Sequence, residues 1–153
     1  MNQDFERQAA MDVLSQAQVG YVAVVTPGGP YAVPLSFAHD GQRIYWHGRQ
    51  GELSNALGDG AAACFVAAVE EELQLGGSPC DDSFAYRSVM VRGTARPIQE
   101  RQQKLFALQL ILLKYDPPRR RAPLPDDVIE RTLVLGLDMQ EVSYKEVSPR
   151  YSP

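Results

Sequence analysis

The chain has 153 residues, a formal net charge of −4, 44% hydrophobic residues and 22% charged residues. That length favours one domain with its own core, and the balanced composition excludes disorder throughout the chain. The acidic balance argues against broad nucleic-acid binding, and the lack of an apolar run of about 18 residues argues against a membrane-spanning helix. We therefore expect a single domain over residues 1–146 and a C-terminal tail over residues 147–153.

The first residues and the cysteine content indicate where the protein works. Residues 1–10 carry charged side chains and lack the apolar centre of a secretory signal, which predicts a cytoplasmic protein. Cys64 and Cys80 are too few for a disulfide framework, so we expect free thiols. Cys64 lies in an apolar run and is predicted to be a buried small residue. Two scattered histidines give no metal site.

In chain order, the predicted elements begin with an amphipathic helix and continue with strands. Apolar residues at helical spacing predict the helix over residues 4–17. Three short strands follow over residues 21–25, 31–38 and 44–47, and the turn residues between them predict an antiparallel meander. Proline cannot donate to a sheet ladder, so Pro34 predicts an edge, a bulge or a gap that faces a ligand.

The second half of the chain continues the strand pattern around one long helix. A fourth strand is predicted over residues 61–69 and a fifth over residues 84–97, with an acidic, glycine-rich loop over residues 70–83 between them. The wide apolar stripe over residues 99–115 predicts a helix that meets an interface as well as the core. A last strand is expected over residues 132–144. This order favours an antiparallel barrel with peripheral helices over alternating strand–helix units.

Two stretches carry residues suited to a flat, phosphorylated ligand. In residues 33–37, backbone groups beside the Pro34 gap could pair with a heteroaromatic ring. In residues 45–49, an aromatic pair and a histidine precede Gly48, which permits close backbone approach, and Arg49, which could bind a phosphate in a bidentate manner. Taken alone, each stretch is explained better by ordinary strand packing than by a ligand.

A third stretch opens the fifth strand. Arg87 and Ser88 are both suited to phosphate oxygens, although a charged strand face is also explained by contact with solvent. The run of residues 119–121 is basic, but it is short and the chain is acidic, so we interpret it as a solvated linker rather than a nucleic-acid contact.

Taken together and in this order, the segments resemble the flavin-nucleotide-binding split barrels of the pyridoxamine-phosphate-oxidase-like and nitroimidazole-resistance group. The resemblance spans about residues 8–145 of the sequence. The matching segments are residues 20–25, 30–38, 43–48 and 86–93.

The resemblance implies a mostly β fold, namely a six-stranded antiparallel split β-barrel with peripheral helices, and a homodimer. It also implies FMN in a groove at the dimer interface, and an oxidoreductase that reduces nitroaromatic or related small molecules. His47 is the residue expected to act as a general acid. The implied cofactor-binding residues are Val33, Pro34, Leu35, Ser36, Phe37, Tyr45, Trp46, His47, Gly48, Arg49, Arg87 and Ser88.

One position departs from the resemblance. Many relatives carry a basic residue after the glycine of this loop, whereas here Gly51 is followed by Glu52. An acid beside a phosphate is unfavourable unless it points away. Three alternatives stay open: weak FMN binding, a phosphate held by Arg49 and Arg87 alone, or another ligand such as haem or a different flavin. His47 is a candidate axial ligand for haem, and the alternative functions are a non-catalytic flavin- or haem-binding module and a scaffold without a ligand.

Overall fold

The computed structural model describes residues 3–119 and 122–148. Within those ranges the chain forms four α-helices, one short 3-10 turn and eight strands. No described helix is long and apolar enough to cross a bilayer. The elements are α1 (Gln3–Gln16), β1 (Gly20–Thr26), β2 (Gly29–Leu35), β3 (Ala38–His39), β4 (Arg43–Gly48), α2 (Glu52–Leu57), β5 (Ala61–Gln74), β6 (Ser83–Pro97), α3 (Arg101–Tyr115), α4 (Asp126–Arg131), β7 (Leu133–Asp138) and β8 (Glu141–Val147).

The strands form one antiparallel sheet that curls around a single main core. The hydrogen-bonded order is β2-β1-β5-β6-β7-β4-β3, and β8 pairs with β6 outside this path. Alternate side chains of each strand point inward, as a barrel requires. The mostly β, antiparallel class is confirmed, with eight strands rather than six. The largest buried side chains of this core include Trp46, Phe37, Phe65, Leu14 and Ile44.

The predicted meander is interrupted between Leu35 and Ala38. β2 pairs with β1, whereas β3 pairs with β4 at the opposite end of the sheet order. β2 therefore lies at an edge of the sheet. There the side of Pro34 that lacks an N–H can face solvent, so no hydrogen bond between strands is lost. Of the three alternatives expected at Pro34, the structure shows the edge strand, and the single strand over residues 31–38 is replaced by two strands.

Phe37 causes this interruption. Its side chain is fully buried, with its ring centroid 4.7 Å from that of Phe65. Its backbone N–H donates to the hydroxyl of Tyr115 at 3.1 Å, and that hydroxyl donates to the backbone oxygen of Gln18 at 2.7 Å. The backbone is thus satisfied by a side chain of α3 instead of a strand, and residues 36–37 leave the sheet.

The segment between the fourth and fifth predicted strands differs from the expected loop. β5 continues to Gln74 and β6 starts at Ser83, so residues 70–74 belong to a long hairpin. A bulge at Glu71 leaves one residue unpaired between Glu70 and Glu72. Acidic composition suggested a loop, but cross-strand pairing with β6 overrides that preference.

The last predicted strand is two strands with a corner between them. β6 uses one edge for both: residues 86–92 pair with β8 and residues 95–97 pair with β7. The corner that joins β7 to β8 crosses over Gly93, where a Cβ atom would lie 1.8 Å from the backbone oxygen of Asp138. The barrel therefore depends on a residue without a side chain at this position.

α3 adds a second, smaller layer outside β4. Ile44 and Trp46 point into the main core, while Tyr45 points to the opposite side and is 5% exposed. There Tyr45 packs with Leu108 of α3, and its ring lies 6.1 Å from that of Phe106. β4 is consequently buried on both faces until it ends.

Lys114 links α1, α3 and the segment before β3. Its ammonium donates to the backbone oxygen of Leu14 at 2.9 Å and lies 3.6 Å from the ring centroid of Phe37. Burial lowers the pKa of Lys114 to about 8. Burial, and then the charge of Lys114, lower the pKa of His39, whose Nε2 lies 2.9 Å from the hydroxyl of Ser15.

We predict that Gly93→Ala lowers the free energy of unfolding by about 1–3 kcal/mol or more, because the new methyl group clashes with the backbone at Asp138. Gly77→Ala is the matched control, since a Cβ atom there meets nothing, and we expect a change within about 0.5 kcal/mol. Urea unfolding monitored by circular dichroism measures both variants. Equal effects of the two substitutions would contradict the importance of this contact.

We predict that wild-type stability rises relative to that of Lys114→Met as pH increases from about 8 to 10. The pKa of Lys114 falls from the ordinary value of 10.5 to about 8 in the folded state, so the unfolded chain binds more protons in this window. Below about pH 8 both states are charged, and the burial cost applies in full. Urea unfolding at about pH 7 and about pH 10 gives the comparison, and parallel curves for the two proteins would show the prediction to be wrong.

Candidate functional site

The residues expected to hold a flavin do not form one groove within the chain. Phe37 and Trp46 are 0% and 1% exposed in the main core, and Val33 and Leu35 pack against it from β2. Tyr45 is buried against α3. Within one chain, these side chains pack in the main core or, in the case of Tyr45, against α3 on the opposite side of β4.

Arg87 already has an ionic partner. Its Nε donates to Glu71 at 2.6 Å, and its guanidinium also donates to the side chain of Gln16 at 3.0 Å. These contacts direct Arg87 toward α1 and the bulge of the hairpin. In the alternative in which Arg49 and Arg87 alone hold a phosphate, Arg87 would have to give up these contacts.

Pro34 and Ser88 lie on the side of β2, β1, β5 and β6 that is turned away from the core, which we call the outer face. Directly opposed residues share a face, and Pro34, Tyr21, Val66 and Met90 follow one another across these four strands. Ser88 lies two residues before Met90 and so shares the outer face. The outer face exposes large apolar side chains that the core does not use.

An open cavity of about 530 Å³ lies on the outer face. Small apolar residues such as Ala23 and Ala62 line it, together with Cys64. Cys64 is half-buried here as a free thiol instead of being buried in the core as predicted. At the rim, Arg92 pairs with Glu141 at 3.4 Å.

The end of β4 lies between two adjoining cavities. His47 lines a cavity of about 210 Å³ whose other walls come mainly from aliphatic side chains of α3 and α4. We call this the apolar cavity, and its lining residues are His47, Leu108, Ile111, Leu112, Leu124, Val128 and Thr132. Because β4 ends here, His47 is exposed instead of buried between two layers.

Gly48 and Arg49 line the second cavity, an open groove of about 910 Å³ between α2, the start of α3 and the end of α4. We call it the basic groove, because it is lined by Arg49, Lys104 and Arg131. Thr132 lines both cavities, which therefore adjoin. Residues 47–49 thus line the two cavities at the end of β4, whereas the other predicted residues lie in the main core, against α1 or α3, or on the outer face.

The loop before α2 is held in place by Ser54. Its hydroxyl accepts from the backbone N–H of Gly51 at 2.9 Å and donates to the side chain of Gln50 at 3.1 Å. Ser54 is buried and lines the basic groove. Glu52 is exposed and does not line it, so its carboxylate does not oppose an anion there.

Sequence reasoning missed Ser54, Lys104 and Arg131. Ser54 contacts the backbone N–H of Gly51 from the third position of α2, as one half of a capping box does, but the sequence signature also needs a side chain at the cap, which Gly51 lacks. Lys104 and Arg131 lie on helices far from residues 47–49 in the chain. Only the folded structure places them beside Arg49, so no sequence signal could have found them.

The family model for pyridoxamine 5'-phosphate oxidase matches residues 6–146. A comparison with the curated proteins finds no match. Three solved structures illustrate the similarity. The flavocytochrome Anf3 of Azotobacter vinelandii is 26% identical with a TM-score of 0.81, and the match covers 95% of this chain and 70% of that chain.

The FAD and heme binding protein of Mycobacterium smegmatis is also 26% identical, with a TM-score of 0.81 over 96% of this chain and 74% of that chain. A protein described as a 5-nitroimidazole antibiotic resistance protein of Bacteroides thetaiotaomicron is 22% identical, with a TM-score of 0.76 over 90% of this chain and 81% of that chain. Since the family model covers almost every described element, the chain belongs to the pyridoxamine 5'-phosphate oxidase family and has the split-barrel fold of its flavin- and haem-binding members.

Proposed function

We propose that the protein is an FMN-dependent oxidoreductase that binds its cofactor at the end of β4. The carrying observation is that the apolar cavity adjoins the basic groove at residues 47–49. FMN combines a flat, largely apolar ring system with a phosphate at the end of a polar chain. An apolar wall for the ring and guanidinium groups for the phosphate match these two parts.

The residues of this region have separable roles in the proposal. Gly48 permits close backbone approach between the two cavities, and Arg49 contacts the phosphate. The Ser54 contacts hold residues 50–51 in one conformation, which lowers the entropy cost of binding. The aliphatic side chains of α3 exclude water from the ring.

When bound, a flavin would supply the transfer of two electrons and one proton from a reduced nicotinamide nucleotide to a nitroaromatic compound. The products of this reduction are a nitroso compound and water. The balance of this reaction needs a second proton at the departing oxygen. His47 is the titratable side chain that lines the apolar cavity, so we assign it the delivery of that proton from its imidazole.

We also propose that the protein is a homodimer that pairs through the outer face. Val25, Tyr21 and Val66 are 78%, 53% and 39% exposed there, and an exposed apolar surface of this kind is typical of an interface. Ser88 lies on the same face, so such an interface would cover it.

A haem-binding function is the second candidate. One observation favours it: His47 is a side chain able to ligate iron, and it faces aliphatic side chains beside a groove that could take propionate groups. The relative from Mycobacterium smegmatis is described as a FAD and heme binding protein. In this case the protein would carry or sense a cofactor instead of reducing nitro compounds.

We predict that Leu112→Glu weakens FMN binding by about tenfold or more, because a carboxylate in the apolar cavity must lose water when the ring binds. Leu113→Glu is the matched control: it is the next residue of α3, it is 42% exposed, and it does not line the cavity. Titration of FMN fluorescence measures both, with thermal melts to compare folding. Equal FMN affinity in the two variants would place the ring elsewhere.

We predict that Val25→Glu converts a dimer into a monomer, because it introduces a charge into the proposed apolar interface. Leu75→Glu is the control, since Leu75 is also 78% exposed but lies beyond the end of β5. Light scattering after size-exclusion chromatography gives the mass of each protein. A monomeric wild type, or two variants that behave alike, would contradict pairing through the outer face.

The haem alternative makes its own prediction. Added ferric haem should give a Soret band typical of histidine ligation, and His47→Ala should lose that signature because the ligand is removed. Absorption spectra of the two proteins test it. A haem spectrum that is unchanged in His47→Ala, or no haem uptake by a protein that binds FMN, would exclude this candidate.

A further inference from the structure

The turn between β3 and β4 is tied to its surroundings through Gly41. The backbone N–H of Gly41 donates to Nδ1 of His39 at 3.1 Å, and its backbone oxygen accepts from the guanidinium of Arg7 at 2.9 Å. Gly41 has a φ of +87°, a backbone conformation that side chains rarely adopt. Both polar groups of one residue therefore hold the turn, the first through β3 and the second through α1.

The imidazole of His39 connects this turn to the second half of α1. Its Nε2 lies 2.9 Å from the hydroxyl of Ser15, and the backbone of Met11 also hydrogen-bonds to the ring. A backbone N–H can only donate, so Nδ1 must be unprotonated to accept from Gly41. The proton of the neutral ring is then on Nε2, where it faces α1. His39 thus joins α1 to the turn as a neutral tautomer.

Charged and polar groups from several elements act on His39. Burial of the ring and the charge of Lys114 on α3 oppose protonation, whereas Asp40 in the turn and the backbone of Met11 favour it. Arg7 of α1 adds a further cation at the backbone oxygen of Gly41. Burial has the largest effect, followed by Lys114, so the pKa of His39 lies below its ordinary value of 6.5.

Asp40 is engaged by other partners than the ring. One oxygen of its carboxylate accepts from the backbone N–H groups of Gln42 and Arg43, at 2.9 and 2.7 Å. The other oxygen accepts from the hydroxyl of Tyr45 at 3.0 Å. Among the described residues, no carboxylate forms an ion pair with His39.

A proton added at Nδ1 changes the contact with Gly41 from attraction to repulsion. The ring would then present an N–H to the N–H of Gly41, and its new charge would face that of Lys114. Both penalties disappear when α1 and the turn separate, because water can then hydrate the charged ring. The proton comes from solvent, so acid favours the separated state.

We propose that His39 is an acid-sensitive switch: protonation of Nδ1 raises the population of an open state in which α1 and the turn over residues 39–43 are apart. In the closed state, α1 covers the main core with Ala10, Val13 and Leu14, which are all 0% exposed. The open state therefore exposes apolar side chains on one side of the barrel. No cofactor takes part, so the switch goes beyond the proposed function and does not depend on it.

The direction of the pH dependence follows from the pKa of His39. In the open state the hydrated ring has the ordinary pKa of 6.5, and in the closed state its pKa is lower. Well above pH 6.5 neither state binds the proton, and the closed state has its full stability. As the pH falls through 6.5, the open state is protonated first. Its population rises until the ring is protonated in both states.

Hydrogen exchange followed by mass spectrometry at about pH 7.5 and about pH 5 tests the switch, once the intrinsic exchange rate at each pH has been divided out. We expect the protection of α1 peptides to fall severalfold in acid, while the protection of β7 peptides stays the same. Equal losses in α1 and β7 would show global unfolding and overturn the proposal. Unchanged protection of α1 would overturn it as well.

His39→Gln removes the titrating group, and His47→Gln is the matched control. These are the two histidines of the chain, and His47 is exposed at the end of β4. We expect the ratio of α1 protection at the two pH values to approach one in His39→Gln and to equal that of the wild type in His47→Gln. A wild-type ratio in His39→Gln, or a lost response in His47→Gln, would contradict the proposal.

Lys114→Met tests the coupling between the two charges, which a merely structural role of His39 would not produce. Without this cation the pKa of His39 in the closed state moves closer to 6.5. The acid-induced loss of α1 protection should therefore be smaller and level off at a higher pH than in the wild type. Lys104→Met is the control on the same helix, since Lys104 donates to the backbone of Glu130. If Lys114→Met responds to acid as strongly as Lys104→Met, the assignment of the switch to His39 is wrong.

Discussion

The close contact between Gly93 and the backbone of Asp138 is the constraint on which the rest of the barrel depends. It lets β6 change its partner from β8 to β7 along one edge. β7 then offers its other edge to β4, which sets the register of Gly48 with Leu133. The position of the candidate site at the end of β4 is thus a consequence of a contact on the other side of β7.

Asp138 reinforces the same junction with its side chain. Its carboxylate accepts from Arg43 at 2.6 Å and from Arg96 at 2.7 Å. Arg43 begins β4 and Arg96 lies near the end of β6, so one residue of β7 contacts both neighbouring strands. Partly buried ion pairs that share a carboxylate favour one register over its alternatives, because a shifted strand would leave a charge unpaired.

Local patterns predicted much of this fold, because they depend on neighbouring residues. The spacing of apolar residues predicted α1 and α3 close to their observed bounds, and an edge strand was one of the three alternatives that Pro34 indicated. The departure of Phe37 from the sheet could not be predicted, because the hydroxyl of Tyr115 that satisfies its backbone lies 78 residues away. Contacts between distant residues also decide which polar side chains are free.

In the candidate site, too, local patterns predicted some residues, and contacts between distant residues decided the rest. Residues 47–49 were found because glycine, histidine and arginine at a strand end form a local pattern. Arg87 looked equally suitable, but its partner Glu71 lies in a segment that composition assigned to a loop. Whether an arginine is free or paired depends on the fold, so residue type alone could not separate Arg49 from Arg87.

The bulge at Glu71 has a consequence for how the long hairpin tolerates changes in length. By inserting one unpaired residue it reverses the alternation of β5, so that Leu73 lies opposite Phe84 on the outer face. A deletion of one residue here would exchange the two sides of the hairpin end and remove the carboxylate that holds Arg87. Insertions at Gly77, where there is open space, would leave both intact, so variation in length among homologous hairpins should be concentrated at the tip.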